Sequence, residues 1–169
     1  MKLHLVDANP AVASALQKAF EPFAEVEVSQ GDLLAMAEGC VVSPANSFGY
    51  MDGGFDKHLR DFFGLQIESR VQAAVAQRPE GMLPVGASLL IPTGHHKIPH
   101  LLLAPTMEMP EHVDASHAYR AMRAVLRLAM AANFPASEVY CPGLATGVGG
   151  VTPEAAAHEM ARAYFDSSD

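Results

Sequence analysis

No apolar run in the 169 residues reaches the ~18 that a bilayer crossing needs, so a membrane-spanning helix is not expected. The start, Met1-Lys2-Leu3-His4-Leu5-Val6-Asp7, lacks a signal-peptide layout, because Asp7 interrupts it and no cleavage site follows. Basic residues are in deficit: 11 Lys and Arg against 19 Asp and Glu leave a net charge of −8 with the histidines neutral. A general nucleic-acid surface needs clustered Lys and Arg and is not expected. An anionic small ligand is not excluded, since backbone N–H groups at a helix N-terminus can hold phosphate without basic side chains. Cysteine is scarce. Cys40 and Cys141 both fall in expected buried strands and read as core thiols, which suits a cytoplasmic protein. No Cys, His and carboxylate set at ligand spacing surrounds His95-His96, which reads as a surface turn; no metal or cofactor is expected.

What is present reads as alternating strands and helices. Leu3 to Val6 is an expected buried strand. Asn9 caps a helix with Pro10 at its first position and Val12, Leu16, Ala19 and Phe20 on one face. Glu25 to Val28 reads as a second strand, followed by Gly31-Asp32 and a short helical turn to Ala37. Cys40-Val41-Val42 ends a third strand. Lys57 to Phe63 has helical character, and Leu59 to Val75 reads as helix broken at Gly64, with Leu59, Phe62, Phe63, Ile67 and Val71 facing a core. Ala87 to Ile91 and His100 to Ala104 are further strands. Asp114 caps a helix running to about Ala132, Glu138 to Cys141 is the last strand, and Thr152-Pro153-Glu154 opens the final helix. Ser167-Ser168-Asp169 reads as a frayed tail. The pattern predicts an α/β fold, 1–169, with helices on both faces of a central sheet. The opening, a strand ending in Val-Asp followed by helix, strand and Gly-Asp, also resembles part of a Rossmann-type methyltransferase. That fold needs a glycine-rich turn after an earlier strand, and the sequence has none there.

Two stretches carry chemical content. Ser43 to Asp56 is a long strand-to-helix loop of small and polar residues, either a binding loop or a wide turn in which Asp52 caps the helix. Gly53-Gly54 lets backbone approach a ligand closely. Gly143 to Val151 places four glycines in eight positions between a strand and a capped helix. Its amides can point into one concavity in front of a helix dipole, as in a phosphate cradle. No Gly-Lys-Ser/Thr follows, so it is not a Walker loop. Both loops, and Gly31-Asp32, leave the carboxyl ends of expected strands, where open α/β sheets bind ligands.

These blocks together resemble a macro domain, the ADP-ribose-binding module. Gly31-Asp32-Leu33 matches the family's Gly-Asp-Ile/Leu, and Val42-Ser43-Pro44-Ala45-Asn46 sits where the family has Val-Asn-Ala-Ala-Asn. Gly53-Gly54-Phe55-Asp56 matches Gly-Gly-Val-Asp, and Ala145 to Gly150 matches the diphosphate loop. The resemblance spans about Val28 to Tyr164, in the form of a bacterial-type branch. It departs at Ser43 and Pro44, at Asp52 in place of a first glycine, at Ala104-Pro105-Thr106, and at Gly149, where the family has an aromatic covering the distal ribose.

The resemblance implies a three-layer α/β/α fold with a central mixed sheet. It implies Asp32 and Leu33 at adenine, with Gly53, Gly54 and Phe55 beside the distal ribose. Thr146, Gly147, Val148, Gly149 and Gly150 fall at the diphosphate, and Asn46 on the distal ribose hydroxyls. Asp56, in a helix's first turn, is expected to stay ionised and to activate a water at the anomeric carbon, so Asp56 and Asn46 are the implied catalytic pair. The implied ligand is ADP-ribose or an ADP-ribosylated macromolecule. The implied activity is hydrolysis of an ADP-ribosyl linkage, such as an ester on an acidic side chain. A non-catalytic ADP-ribose reader, and a hydrolase or phosphatase of a small ADP-ribose metabolite, remain alternatives.

Overall fold

The computed structural model describes residues 1–168. Six strands form one mixed sheet: β1 (Lys2–Asp7), β2 (Glu27–Gln30), β3 (Cys40–Ser43), β4 (Leu89–Pro92), β5 (His100–Leu103) and β6 (Glu138–Cys141), in the order β2-β1-β6-β3-β5-β4. All neighbours pair in parallel except β4 and β5, an antiparallel edge pair. The helices are α1 (Pro10–Ala19), α2 (Leu33–Met36), α3 (Gly54–Phe63), α4 (Gln66–Ala76), α5 (Ser116–Ala129) and α6 (Pro153–Ser167).

Strand residues alternate between two cores, as the period of two requires. Cys40, Val42, Leu102, Val139 and Cys141 pack with α1, α5 and α6 on one face. Val41, Leu101, Leu103 and Tyr140 pack with α3 and α4 on the other. Both cysteines are buried thiols, and burial pushes Cys40 up to about 12. Asn9 and Thr152 cap α1 and α6 as their sequence contexts predict, accepting from Ala11 N–H at 2.9 Å and Ala155 N–H at 3.3 Å.

Several local expectations shift. Residues 23–26 form a turn, with Val26 N–H bonded to Phe23 O, so β2 starts at Glu27 rather than Glu25. α3 starts at Gly54, three residues before Lys57, because Gly54 enters the helix at φ +59, which glycine tolerates. Its cap is Gly53, and Asp52 makes no capping bond. Phe62 is 41% exposed rather than inward, since α3 turns Leu59 and Phe63 to the core. α5 begins at Ser116, with Asp114, two residues ahead, accepting from Ser116 N–H at 2.9 Å. α6 runs through Ser167, part of the expected tail; Asp169 lies outside the described residues.

This topology brings the carboxyl ends of β1, β2, β3, β5 and β6 to one edge of the sheet. β6, last in sequence, sits between β1 and β3, so the loops after these three strands meet.

Candidate functional site

A cleft of about 1220 Å³ opens at that edge. Its size exceeds the ~300–1,000 Å³ usual for small-ligand sites. One wall is formed by Gly143 and residues 145–149 after β6, the facing wall by residues 44–46, Tyr50 and residues 52–56 after β3, and one end by residues 31–35. Thr106 and Met107 line it too, while Met109 is a surface residue.

The β6 loop is built to present backbone donors. Gly143 N–H donates to Asp7 Oδ2 at 3.0 Å, and Leu144 N–H points to Met160 Sδ at 3.4 Å. Gly150 N–H and Val151 N–H turn back onto Gly147 O and Ala145 O, both at 3.0 Å. Among the described residues, the amides of Ala145, Thr146, Gly147, Val148 and Gly149 have no acceptor within the chain. Five successive donors beside the N-terminus of α6 make an anion cradle. The loop is tight. Ala145 holds φ 65, and a Cβ on Gly149 would lie 2.7 Å from Ala145 O. An aromatic at 149 is therefore excluded in this loop geometry. Val113 N–H donates to Gly149 O at 2.9 Å, and Pro110 of that segment lines the cleft instead.

The β3 loop is knitted by its own side chains. Asn46 Nδ2 donates to Tyr50 O at 2.9 Å, and its Oδ1 accepts from Phe48 N–H at 3.1 Å and Tyr50 N–H at 3.2 Å. Asn46 thereby closes its loop and keeps one N–H for a ligand. Met51 N–H donates to Glu68 Oε2 at 2.6 Å, which ties the loop to α4. Tyr50, 46% exposed, stands at the cleft wall. Asp56 is buried in the first turn of α3 and lines the cleft. Ser43 Oγ, fully buried, donates to Asp56 Oδ1 at 2.6 Å.

Burial pushes the Asp56 carboxyl up to about 7, against the Ser43 hydroxyl, which holds it down. The expectation that Asp56 stays ionised is thus corrected. Desolvation of the charge outweighs the helix dipole, and near neutral pH the group is divided between its two forms.

Asp32, Leu33, Asn46, Gly53, Gly54, Phe55, Asp56, Thr146, Gly147, Val148 and Gly149 all line the one cleft. A Cβ on Gly54 would sit 3.6 Å from Val148 Cγ2, so the two walls approach each other there. Gly150 falls outside the cleft wall and packs against the His112 ring. Asp32 also caps α2, accepting from Leu34 N–H at 3.1 Å through Oδ1 and leaving Oδ2 for another donor. His95 Nδ1, in the β4–β5 turn, accepts from Lys97 N–H and Ile98 N–H at 3.1 Å each, a structural role.

Sequence reasoning missed Asp7 and Ser43 as parts of the site. Asp7 was visible as the polar end of an apolar strand, but the loop it holds lies 136 positions away. Ser43 stood out only as a departure from a motif.

The chain is thus an α/β/α sandwich whose cleft sets a row of free backbone amides opposite a buried carboxylate. The model of the macro domain family matches residues 42–160, and the chain belongs to that family. It is similar to an uncharacterized protein of Aquifex aeolicus, 36% identical over 137 residues, which cover 80% of this chain and 78% of the relative. In structure it is similar to the macrodomain of Mycobacterium tuberculosis DarG, with TM-score 0.69 and 18% identity over 82% of this chain and 88% of that one. It is also similar to Thermosipho africanus DarTG in complex with ADP-ribose, with TM-score 0.67 and 16% identity over 96% of this chain and 50% of that one. At such identities these likenesses establish the mixed-sheet macrodomain fold. Among the described residues, no helix is long and apolar enough to cross a membrane.

Proposed function

We propose that the chain, 1–169, acts as one macro domain that binds ADP-ribose in this cleft and hydrolyses an ADP-ribosyl ester on an acidic side chain. The observation that carries the reading is the pairing of five unengaged amides, Ala145 to Gly149, with a buried carboxylate, Asp56, across one cleft. The amides suit a diphosphate. Asp32, through its free oxygen, suits the adenine amino group, Leu33 gives apolar surface beside it, and Phe55 stands with Gly53 and Gly54 toward the distal ribose. The remaining N–H of Asn46, with Gly53 and Gly54, suits the distal ribose hydroxyls. The DarTG structure with ADP-ribose supports the ligand class by likeness of fold.

In the proposed step a water attacks the anomeric carbon and its proton passes to Asp56. The bond from that carbon to the ester oxygen breaks, and the acceptor carboxylate leaves with the electron pair. The proton on Asp56 then returns to solvent. Only the ionised carboxylate accepts that proton, so turnover rises as pH passes through about 7. A reader that turns nothing over is the second reading. It is favoured by the neutral fraction of Asp56 at pH 7 and by the engagement of Asn46 within its own loop.

The test is release of ADP-ribose from a protein ester-linked on acidic residues, followed for the wild type and Asp56→Ala. General-base assistance is typically worth ~10²–10⁴-fold, so Asp56→Ala loses at least about a hundredfold in rate and much less in ADP-ribose affinity. Equal rates remove Asp56 from the chemistry. Binding without release in the wild type makes the protein a reader.

A further inference from the structure

Asp56 Oδ1 is taken by the Ser43 hydroxyl at 2.6 Å. Asp56 Oδ2 makes no hydrogen bond among the described residues, yet it is not among their buried unpaired polar atoms, which are the Nε of Arg60 and of Arg78. It is therefore the oxygen open to the cleft. Ser43 is the last residue of β3 and completely buried, and its hydroxyl has no other partner among the described residues.

A hydroxyl that donates to Oδ1 decides which oxygen carries the proton of the neutral acid. With Oδ1 already receiving a proton, the acid's own proton sits on Oδ2, facing the ligand. With the carboxylate ionised, the same Oδ2 is the open acceptor. We propose that Ser43 is the positioning residue of this site: its hydroxyl holds Oδ1 so that Oδ2 alone exchanges protons with water in the cleft, and it favours the charged form of Asp56. The role rests on the ADP-ribose reading for its ligand but not for its geometry.

Among side chains, the surroundings leave Ser43 as the group that favours the charged form. On α3, Lys57 pairs with Asp61 at 3.1 Å, and His58 lies one residue further than Lys57 from Asp56. Asp52 and Tyr50 stand on the β3 loop, and Asp7 and Asp32 on the other strand ends. From α4, Glu68 is held by Met51 N–H and lies 3.8 Å from Arg60. Burial and the Ser43 hydroxyl, rather than any of these charges, govern the carboxyl.

The test follows the Asp56 carboxyl carbon by NMR across pH 4–10 in the ligand-free protein. It compares the wild type with Ser43→Ala, Ser43→Thr and Ser43→Cys. Losing a hydrogen bond to the charged form moves the midpoint up by about one to two pH units in Ser43→Ala. Ser43→Thr keeps the hydroxyl and the wild-type midpoint, and Ser43→Cys, a weaker donor, lies between. An unchanged midpoint in folded Ser43→Ala overturns the proposal. Should that variant not fold, a wild-type midpoint in Ser43→Cys does the same. Where ADP-ribose release is measurable, Ser43→Ala loses roughly tenfold near pH 7 and regains it above pH 9, whereas a merely structural defect lowers the rate at every pH. A protein that releases no ADP-ribose still shows the titration shift, so failure of the hydrolase reading and failure of this inference are separate outcomes.

Discussion

The two walls of the cleft solve one problem in opposite ways. Both leave parallel neighbours in the sheet, β6 and β3, and both end at a helix N-terminus. The β6 wall carries almost no functional side chain and leaves five backbone amides free. The β3 wall spends its polar side chains on itself, through Asn46 to Phe48 and Tyr50 and through Ser43 to Asp56. One wall offers unspent donors that a dispersed negative charge can satisfy. The other has paid the ordering cost in advance, so that a single carboxylate oxygen and one amide N–H are aimed into the space. On the proposed function, the diphosphate lies against the first wall and the reacting centre against the second.

The comparison breaks most visibly at Asp56. Its folded pKa of about 7 lies above the ordinary 3.8, so the carboxyl costs stability as pH rises from about 4 to about 7, and the cost is constant above that. Asp56→Asn keeps an acceptor for Ser43 and removes the charge. Relative to the wild type it gains roughly 4 kcal/mol of unfolding free energy between pH 4 and pH 8, at about 1.4 kcal/mol per pH unit. Urea unfolding at both pH values reads the difference directly, and parallel behaviour of the two proteins would mean that the carboxylate is solvated in the cleft.

Gly149→Ala tests the other wall. Its new methyl group meets Ala145 O, a backbone atom that cannot swing aside. Displacing the loop costs about 1–3 kcal/mol. If the amides bind the diphosphate, the variant loses about tenfold or more in affinity for ADP and ADP-ribose by calorimetry, while adenosine is unaffected. Equal loss for adenosine would place the loop's contribution elsewhere.

Asp32→Ala sharpens the comparison at the end where the walls meet α2. It removes the expected adenine acceptor together with the cap on Leu34. Affinity for AMP and for ADP-ribose falls by the same factor, about 1–3 kcal/mol, the usual worth of a hydrogen bond to a charged group. Turnover at saturating ligand stays level, since adenine is remote from the breaking bond. A loss confined to ADP-ribose would contradict adenine binding at Asp32.

Much of the fold is local and was legible. The strand Glu138–Cys141 and the caps Asn9 and Thr152 are properties of neighbouring residues, and the structure has them where the sequence predicts. Expectations failed where backbone geometry or packing overrode the residue pattern. Asp52 resembles a cap, but Gly54 starts α3 at a positive φ and makes Gly53 the cap. Phe62 follows the apolar count, but the helix's orientation on the sheet buries Phe63 and leaves Phe62 in contact with His95. Of the site, the residues that line the cleft were legible as loops rich in glycine and acid. Asp7 was not, because it works through Gly143, 136 positions away, and Ser43 was not, because no local pattern pairs its hydroxyl with Asp56 at the far end of the same loop.

The sequence by itself determined where α1 and α6 begin and which loops have backbone freedom to meet a ligand. These depend on glycine, proline and capping residues acting within a few positions. Only the tertiary structure decided that β6 inserts between β1 and β3, that β4 runs antiparallel at the edge, and that Asp56 titrates near 7 rather than near 4. Strand order is a global packing solution in which every neighbour must bury both sheet faces. The proton affinity of Asp56 is a sum of desolvation over residues from several elements. Neither quantity is carried by any one segment of the chain.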